Sequence, residues 1–215
     1  MSLFSSMPYT LRLGSLLLGL SAPWAMADEA ALYGPAAPNG SAFVRGFNAA
    51  SSSFDANLGP VRINDLGAKS SSDFAFLPAG SYTANADGKS LAVKLDAERY
   101  YTLVQMPSGK LELVEEPPFK NRQKSLLRLQ NLSDTALSIK TADGRTEVIH
   151  PVSANARGER EINPVKVRLT LYAGDRKIRD LDPLVLERGE VVSLFVTGSA
   201  DKLSPAWVKR PVATN

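Results

Sequence analysis

The sequence predicts an all-β protein that consists of two small antiparallel β-sandwich domains in tandem, related by an internal duplication. Three observations support this prediction: short segments in which apolar and polar residues alternate, turn signals between them, and the lack of any long amphipathic helical pattern. Several short strands at such spacing are typical of an antiparallel sandwich or barrel.

The clearest alternation runs from Val165 to Tyr172, with valines and leucines on one face and Lys, Arg, Thr and Tyr on the other. Because side chains alternate across a strand, this segment is predicted to be one half-buried strand. Shorter runs predict strands at residues 42–47, 81–86, 100–104, 111–114, 126–132, 147–150 and 191–196. The Asp-Gly pairs at residues 87–88 and 143–144 predict tight hairpin turns, since Asp and Gly tolerate the positive φ angles that such turns require.

Two pairs of segments indicate that one β unit occurs twice. Residues 43–48 align with residues 126–131, because each is an apolar strand with a central arginine, Arg45 or Arg128, and a final asparagine. Further along the chain, residues 95–104 align with residues 184–196, with Glu98 opposite Glu187. Two unrelated β domains would share strand and turn patterns as well, but the matched residues favour duplication.

The N-terminus has the pattern of a cleaved secretory signal. An apolar run from Leu13 to Trp24 follows the single charge of Arg12, and this run is too short to span a bilayer. The segment Ala25-Met26-Ala27 then matches the small-x-small pattern that signal peptidase recognises. We therefore expect residues 1–27 to be a signal peptide and the mature protein to be soluble and periplasmic.

The boundary between the predicted domains lies at Glu115-Glu116-Pro117-Pro118, where two prolines without backbone donors interrupt the strand pattern. We expect an N-terminal β-sandwich domain at residues 28–116, a linker at residues 117–124 and a C-terminal β-sandwich domain at residues 125–215. A chain of this length is sufficient for two domains that each bury their own core.

Net charge differs between the two halves. Residues 28–117 carry 7 basic and 11 acidic side chains, whereas residues 118–215 carry 17 basic and 11 acidic ones, so the formal charges are −4 and +6. This asymmetry suggests that the domains face different partners, the basic one an acidic protein surface or a polyanion. The basic residues are not interleaved with aromatic ones, a pattern that argues against nucleic-acid binding.

The residues needed for most catalytic sites are missing from the sequence. Cysteine is absent, which excludes thiol nucleophiles and thiolate metal sites, and His150 is the single histidine. No nucleophile elbow, phosphate-binding loop or dinucleotide fingerprint occurs. Two carboxylates could still form a glycosidase pair, and the candidates are Glu115 with Glu116 beside the linker and Asp180 with Asp182 beside a predicted turn. We expect no catalytic residue, metal site or cofactor, and we interpret His150 as a partly exposed turn residue.

Trp207, Lys209 and Arg210 form the most suggestive cluster for a partner surface, since Trp and Arg are common at binding hot spots. Trp207 could equally close one end of the second sandwich, and we favour that structural interpretation. The sequence indicates no other partner-binding residue.

Several of these segments together resemble one family. The chain resembles the AlgF family of periplasmic alginate O-acetylation proteins in five segments. These are the N-terminal signal, the Ala31-Leu32-Tyr33-Gly34-Pro35 opening, the strand at 43–48, the Pro-Pro boundary and the strand at 126–131. The resemblance covers essentially the whole chain. It implies a part in acetylating alginate, a polyanion of mannuronate and guluronate, in the periplasm.

The resemblance does not extend to the transferase motifs of that system, which are Gly-Asp-Ser and Asp-x-x-His. The nearest segment, residues 147–150, has Glu in place of Asp, and no nucleophile loop accompanies it. We therefore expect a non-catalytic adaptor that binds the periplasmic alginate acetyltransferases. Two alternatives stay open: direct binding of anionic alginate by the basic domain, and an enzyme in which a Ser, His150 and an Asp are assembled by folding.

Overall fold

The computed structural model describes residues 37–210, except for the side chain of Arg210, and the predicted signal peptide at residues 1–27 lies outside this range. The first eight strands are β1 (Ser41–Asn48), β2 (Phe54–Leu58), β3 (Val61–Leu66), β4 (Ala75–Pro78), β5 (Gly80–Ala86), β6 (Lys89–Leu95), β7 (Tyr100–Gln105) and β8 (Leu111–Glu116). The next ten are β9 (Ser125–Ser133), β10 (Leu137–Thr141), β11 (Glu147–Val152), β12 (Ala156–Ile162), β13 (Val165–Val167), β14 (Leu169–Ala173), β15 (Arg176–Asp180), β16 (Leu184–Leu186), β17 (Val191–Ser199) and β18 (Lys202–Arg210). Within the described range, no helix is long and apolar enough to cross a membrane.

The first sandwich is built from β1 to β8 in two four-stranded sheets. One sheet has the order β4-β1-β7-β8 and the other has the order β3-β2-β5-β6. Neighbouring strands pair antiparallel except for β1 and β7, which are parallel. The core between the sheets includes Val44, Phe54, Leu58, Leu77 and Leu103, which alternate with outward-facing residues along their strands.

The second sandwich repeats this topology. Its sheets have the orders β12-β9-β17-β18 and β11-β10-β14-β15, and its one parallel pair is β9 with β17. The core includes Leu129, Ile139, Leu171, Leu186 and Leu194. The predicted all-β fold of two duplicated sandwiches in tandem is thus confirmed. Alternation alone does not indicate the parallel pair in each copy, because its two strands are far apart in the chain.

The backbone register corrects one of the two sequence alignments. The N–H of Glu98 donates to the carbonyl of Ser41 at 2.7 Å, and the N–H of Gly189 donates to the carbonyl of Lys124 at 2.7 Å. Both residues have positive φ angles, 58° for Glu98 and 74° for Gly189. Glu98 therefore corresponds to Gly189 and not to Glu187.

The segment from Val165 to Tyr172, which was predicted to be a single strand, is divided between two sheets. Its first part, β13, pairs with β16 in a two-stranded ribbon, whereas β14 pairs with β10 and β15 in the second sandwich. Arg168 lies between the two strands and belongs to neither. The prediction was wrong here because alternation reports an extended backbone and not the identity of its partner strand. Among the described strands, the ribbon has no counterpart in the first sandwich.

The two aligned asparagines have the same role in both copies. The side-chain amide of Asn48 donates to the carbonyl four residues further on at 2.7 Å and to Leu66 O, at the end of β3, at 2.8 Å. The amide of Asn131 donates to the carbonyl four residues further on at 2.8 Å and to Val152 O, at the end of β11, at 3.0 Å. Both carboxamide oxygens accept the N–H two residues on, so each asparagine closes the turn after the first strand of its sandwich.

Candidate functional site

The two sandwiches pack together through the sheet that contains β1 and the sheet that contains β9. An apolar cluster of Phe47, Val104, Phe195 and Val208 lies between these sheets, and each of the four side chains is at most 3% exposed. The ring centroids of Phe47 and Phe195 are 4.8 Å apart, a distance typical of favourable aromatic pairs. We call this contact between the sandwiches the seam.

A buried ion cluster lies beside the apolar cluster, centred on Glu116 at the end of β8. Arg45 Nη2 donates to Glu116 Oε1 at 2.6 Å, and Arg128 Nη1 donates to Glu116 Oε2 at 3.2 Å. Glu116 and Arg128 are 0% exposed, and Arg45 is 2% exposed. One carboxylate from the first sandwich is therefore shared by an arginine from each copy.

The hydroxyl groups beside the two arginines repeat the same symmetry. Thr102 is the register partner of Arg45 on β7, and its hydroxyl donates to Glu116 Oε1. Ser193 is the register partner of Arg128 on β17, and its hydroxyl lies 3.4 Å from Glu116 Oε2. Each copy thus contributes one arginine and one hydroxyl to one oxygen of the carboxylate.

The remaining donors of the two arginines bond to backbone carbonyls at the seam and, for Arg128, also to Glu159 in its own sheet. Arg45 Nη1 donates across the seam to the carbonyl of Lys209 on β18 at 3.2 Å. Arg128 Nη2 donates to the carbonyl of Pro117 at 3.0 Å, and Arg128 Nε donates to the carboxylate of Glu159 at 3.0 Å. Because the donors of each guanidinium have acceptors, the buried charges are compensated as their burial requires.

The charges of the cluster determine the protonation state of Glu116. Burial alone would raise the pKa of this carboxyl group, but the positive charges of Arg45 and Arg128 and the hydrogen bond from Thr102 hold the pKa below its ordinary value of 4.5. Glu116 is therefore ionised at neutral pH. A fully buried, ionised and hydrogen-bonded carboxylate has no access to a substrate, so this cluster positions the two sandwiches and does not bind a ligand.

The sequence indicates that the two arginines are equivalent but does not indicate that Glu116 is their partner. Both glutamates lie at the end of the predicted N-terminal domain, and both belong to β8. Glu115 is exposed and pairs with Arg99 at 3.3 Å, so the two neighbouring glutamates have different roles. The available signal was a central arginine in two apolar strands, since a buried arginine requires an acidic partner.

The structure separates the three residues predicted as a partner surface. Trp207 is half-buried against the second core, which supports the structural interpretation of this residue. Lys209 is exposed and pairs with Glu190 at 3.1 Å, while its ammonium also donates to Val185 O, on β16, at 3.3 Å. Arg210 pairs with Val191 through the backbone, and its side chain lies outside the described part of the chain. Of the two side chains that the structure describes, that of Lys209 is exposed.

His150 was interpreted as a partly exposed turn residue, but it lies within β11. Its side chain is 85% exposed, and Nδ1 lies 2.8 Å from the carboxylate of Glu147, three residues earlier. Within residues 37–210, no serine hydroxyl hydrogen-bonds to this ring. The histidine is paired with a carboxylate but not with a nucleophile.

The environment of Asp180 does not favour a role as a general acid. Asp180 accepts hydrogen bonds from Lys177 and Thr170, and these interactions lower the pKa of its carboxyl group. Asp182 is exposed next to the buried Leu181. A general acid needs a raised pKa, so the environment of Asp180 opposes that role.

A groove of about 400 Å³ opens at the seam, between loops of the first sandwich and the hairpin that joins β17 to β18. Its walls are mainly small side chains, among them Ala49, Ala50 and Ala68, and the exposed Lys69 and Lys202 also contribute to its lining. None of the residues that line this groove is aromatic. The groove can accommodate a small anionic group but offers no flat ring against which a sugar could stack.

Comparison with known proteins identifies one family over most of the chain. A family model described as "Alginate O-acetyl transferase AlgF" matches residues 15–193. The chain is 61% identical over 187 residues to the alginate biosynthesis protein AlgF of Pseudomonas putida, and the match covers 87% of each chain.

Two solved structures are similar to separate parts of the chain. The C-terminal domain of AlgF from P. aeruginosa is 58% identical, covers 41% of this chain and 99% of its own, and has a TM-score of 0.39. The N-terminal domain of the same protein is 55% identical, covers 38% of this chain and 100% of its own, and has a TM-score of 0.34. By its sequence match to the family model and to the P. putida relative, the chain belongs to the AlgF family of alginate biosynthesis proteins.

Proposed function

We propose that this protein is a non-catalytic periplasmic adaptor that binds the alginate acetyltransferases and holds them in position during O-acetylation of the polymer. The observation that carries this proposal is the ion cluster around Glu116, in which one carboxylate holds an arginine from each sandwich. An adaptor needs two surfaces in a fixed relation, and the seam supplies that relation.

The different charges of the two sandwiches support the assignment of different partners to them. The predicted mature N-terminal part has a formal charge of −4 and the C-terminal part has a charge of +6. Charge of opposite sign steers association toward complementary surfaces and suppresses association with like-charged ones. A protein with these two surfaces can bind two partners of different charge at once.

The environments of the candidate catalytic residues support a non-catalytic role. His150 is exposed and paired with Glu147, and the pKa of Asp180 is lowered by Lys177 and Thr170. A serine relay would need a hydroxyl group within hydrogen-bond distance of the histidine. A glycosidase-type mechanism would need one carboxyl group with a raised pKa.

Direct binding of alginate is the competing function, and the seam groove is where it would be expected. Lys69 and Lys202 could contact a uronate carboxylate there, but the groove has no aromatic wall. Polymer binding that depends only on exposed lysines would weaken steeply as salt rises, because the Debye length is only about 8 Å at physiological ionic strength. The geometry therefore favours a protein partner over the polymer.

Binding of the mature protein to purified periplasmic acetyltransferases and to polymannuronate, measured side by side by biolayer interferometry, tests the proposal. The adaptor function predicts saturable binding to at least one transferase at physiological salt. Binding to polymannuronate without binding to any transferase would contradict it.

Complementation of a deletion strain with His150→Ala tests the non-catalytic part. Because His150 is exposed, the variant should fold normally and restore alginate acetylation to the level of the unaltered protein. Loss of acetylation by a folded His150→Ala protein would contradict the non-catalytic interpretation.

A further inference from the structure

We propose that the β13–β16 ribbon of the second sandwich is the docking surface for an acidic protein partner, and that this surface binds an apolar residue of the partner at its centre. The inference rests on the adaptor function proposed above and assigns that function to a place on the molecule. We call this region the ribbon surface and define it by Lys166, Arg168, Val185 and Arg188.

The ribbon is an addition to a fold that is complete without it. The other sixteen strands form the same four-stranded sheets in both copies, and the ribbon pairs only β13 with β16. The turn that follows β16 is fixed by the hydrogen bond from Gly189 N to Lys124 O at 2.7 Å. Lys209 holds the ribbon from the other side through Val185 O. The added strands are therefore anchored to the sandwich at two points.

Each strand of the ribbon has one exposed valine. Val165 is 45% exposed and Val185 is 49% exposed, and Phe76 at 36% is the other large apolar side chain in this class among residues 37–210. Lys166 is the register partner of Val185, so these two side chains lie on the same face of the ribbon, whereas Val165 is opposite the buried Leu186 and lies on the other face. Protein interfaces have an apolar centre and a polar rim, and Val185 flanked by cations has that arrangement.

The cations of the ribbon surface are not neutralised within the described part of the chain. Lys166, Arg168 and Arg188 are all exposed, and none has a carboxylate partner among residues 37–210. Glu187 is an exposed acid in the same turn, so the local balance remains positive. Lys94 of the first sandwich, in contrast, pairs with Asp96 at 3.5 Å. Lys69 and Lys202 are also exposed without a carboxylate partner in the described range, so the ribbon surface is distinguished by the combination of such cations with an exposed valine. Unpaired cations around an aliphatic centre are complementary to an acidic protein surface.

The aliphatic centre favours a protein over a polysaccharide as the occupant. Desolvation of the Val185 side chain requires an apolar side chain on the partner, and protein interfaces have such an apolar centre with a polar rim. A polyuronate chain has carboxylates for the cations but no aliphatic group for Val185. The ribbon surface also presents no aromatic ring on which a sugar could pack.

Charge reversal of the ribbon surface tests this assignment. We would compare Lys166→Glu/Arg168→Glu/Arg188→Glu in the full mature chain with a matched control, Lys89→Glu/Lys94→Glu/Lys110→Glu, which reverses three exposed lysines of the first sandwich. Binding to the purified acetyltransferases and to polymannuronate is measured for each protein at several salt concentrations. A third variant, Val185→Ser, removes the aliphatic centre without changing charge.

We expect the ribbon variant to weaken transferase binding at least about tenfold and to reduce its salt dependence, since rim charges control association and its screening. Val185→Ser should weaken binding by a smaller factor, and the control should bind normally. If the unaltered protein binds a transferase but the ribbon variant binds it equally well, the ribbon assignment is overturned and the adaptor function stands. If the ribbon variant loses polymannuronate binding only, the surface belongs to the polymer and the assignment is also overturned. Failure of the unaltered protein to bind any transferase overturns both proposals.

Discussion

The two sandwiches have the same strand order but carry different residues at one equivalent position at the seam. Tyr100 of β7 is paired with Glu116 of β8, whereas Val191 of β17 is paired with Arg210 of β18. The duplicated fold therefore carries two equivalent arginines, Arg45 and Arg128, but a single glutamate between them. Because the shared carboxylate binds one arginine from each copy, a difference between the copies at one position can hold both together.

The second difference lies at the surface. The second copy carries the β13–β16 ribbon and most of the unpaired cations, whereas the described residues of the first copy contain no such addition. Arg45 and Arg128 at the seam and Asn48 and Asn131 in the turns are equivalent in the two copies, whereas the ribbon is present in the second copy alone among the described strands. This comparison suggests that the seam determines the assembly of the two copies and that the surface determines their partners.

Removal of the shared carboxylate should have the largest effect on this comparison. Glu116→Ala leaves two buried arginines without their common partner, and loss of one member of a buried ion cluster typically costs about 3–5 kcal/mol. Urea unfolding of the mature protein measures the loss. Glu115→Ala is the matched control, because that neighbouring carboxylate is exposed and its ion pair contributes at most about 1 kcal/mol. Equal stability of the two variants would contradict the role assigned to Glu116.

The paired asparagines give a smaller effect that should be similar in the two copies. Asn48→Ala and Asn131→Ala each leave buried carbonyl groups without a donor, which costs about 1–3 kcal/mol. We expect each variant to lower the urea concentration at the midpoint of unfolding, and we expect the two shifts to be similar in size. A large loss of stability from one substitution and none from the other would show that Asn48 and Asn131 do not have equivalent roles in the two copies.

Acid should weaken the seam in a manner that depends on Glu116. The pKa of this carboxyl group is lower in the folded protein than its ordinary value of 4.5, so the folded state binds the proton less readily than the unfolded chain does. The stabilisation by ionised Glu116 is complete above that value and is lost as pH falls through the folded pKa. Other carboxylates contribute to acid unfolding as well, so the quantity to compare is the difference between the unaltered protein and Glu116→Gln. That difference should shrink as pH falls below 4.5, and a difference that stays constant would refute the linkage.

The sequence predicted the fold and its duplication because both depend on local patterns. Alternating segments and Asp-Gly turns located many of the strands, and the aligned asparagines Asn48 and Asn131 have the same hydrogen-bond pattern in the structure. The break at Arg168 was not predictable in this way, because β13 and β14 are both extended and differ only in their partner strands.

Only part of the ion cluster has a signal in the sequence. The central positions of Arg45 and Arg128 in apolar strands are a signal that both are buried and need an acidic partner. Their partner Glu116 is adjacent to Pro117, where the sequence suggested a linker. Glu116 is buried and Glu115 is exposed, and this difference arises only when β8 packs against the second sandwich. Such a contact depends on tertiary packing and leaves no periodic signal in the chain.

The most direct test of this account is a distance measurement across the seam. Since the chain contains no cysteine, spin labels can be placed solely at Lys94→Cys on β6 and Lys177→Cys on β15, which are equivalent strands of the two copies. Double electron–electron resonance should give one narrow distance distribution for the mature protein and a clearly broader one after Glu116→Ala. A broad distribution in the unaltered protein, or a narrow one that Glu116→Ala leaves unchanged, would contradict the claim that Glu116 holds the two sandwiches together.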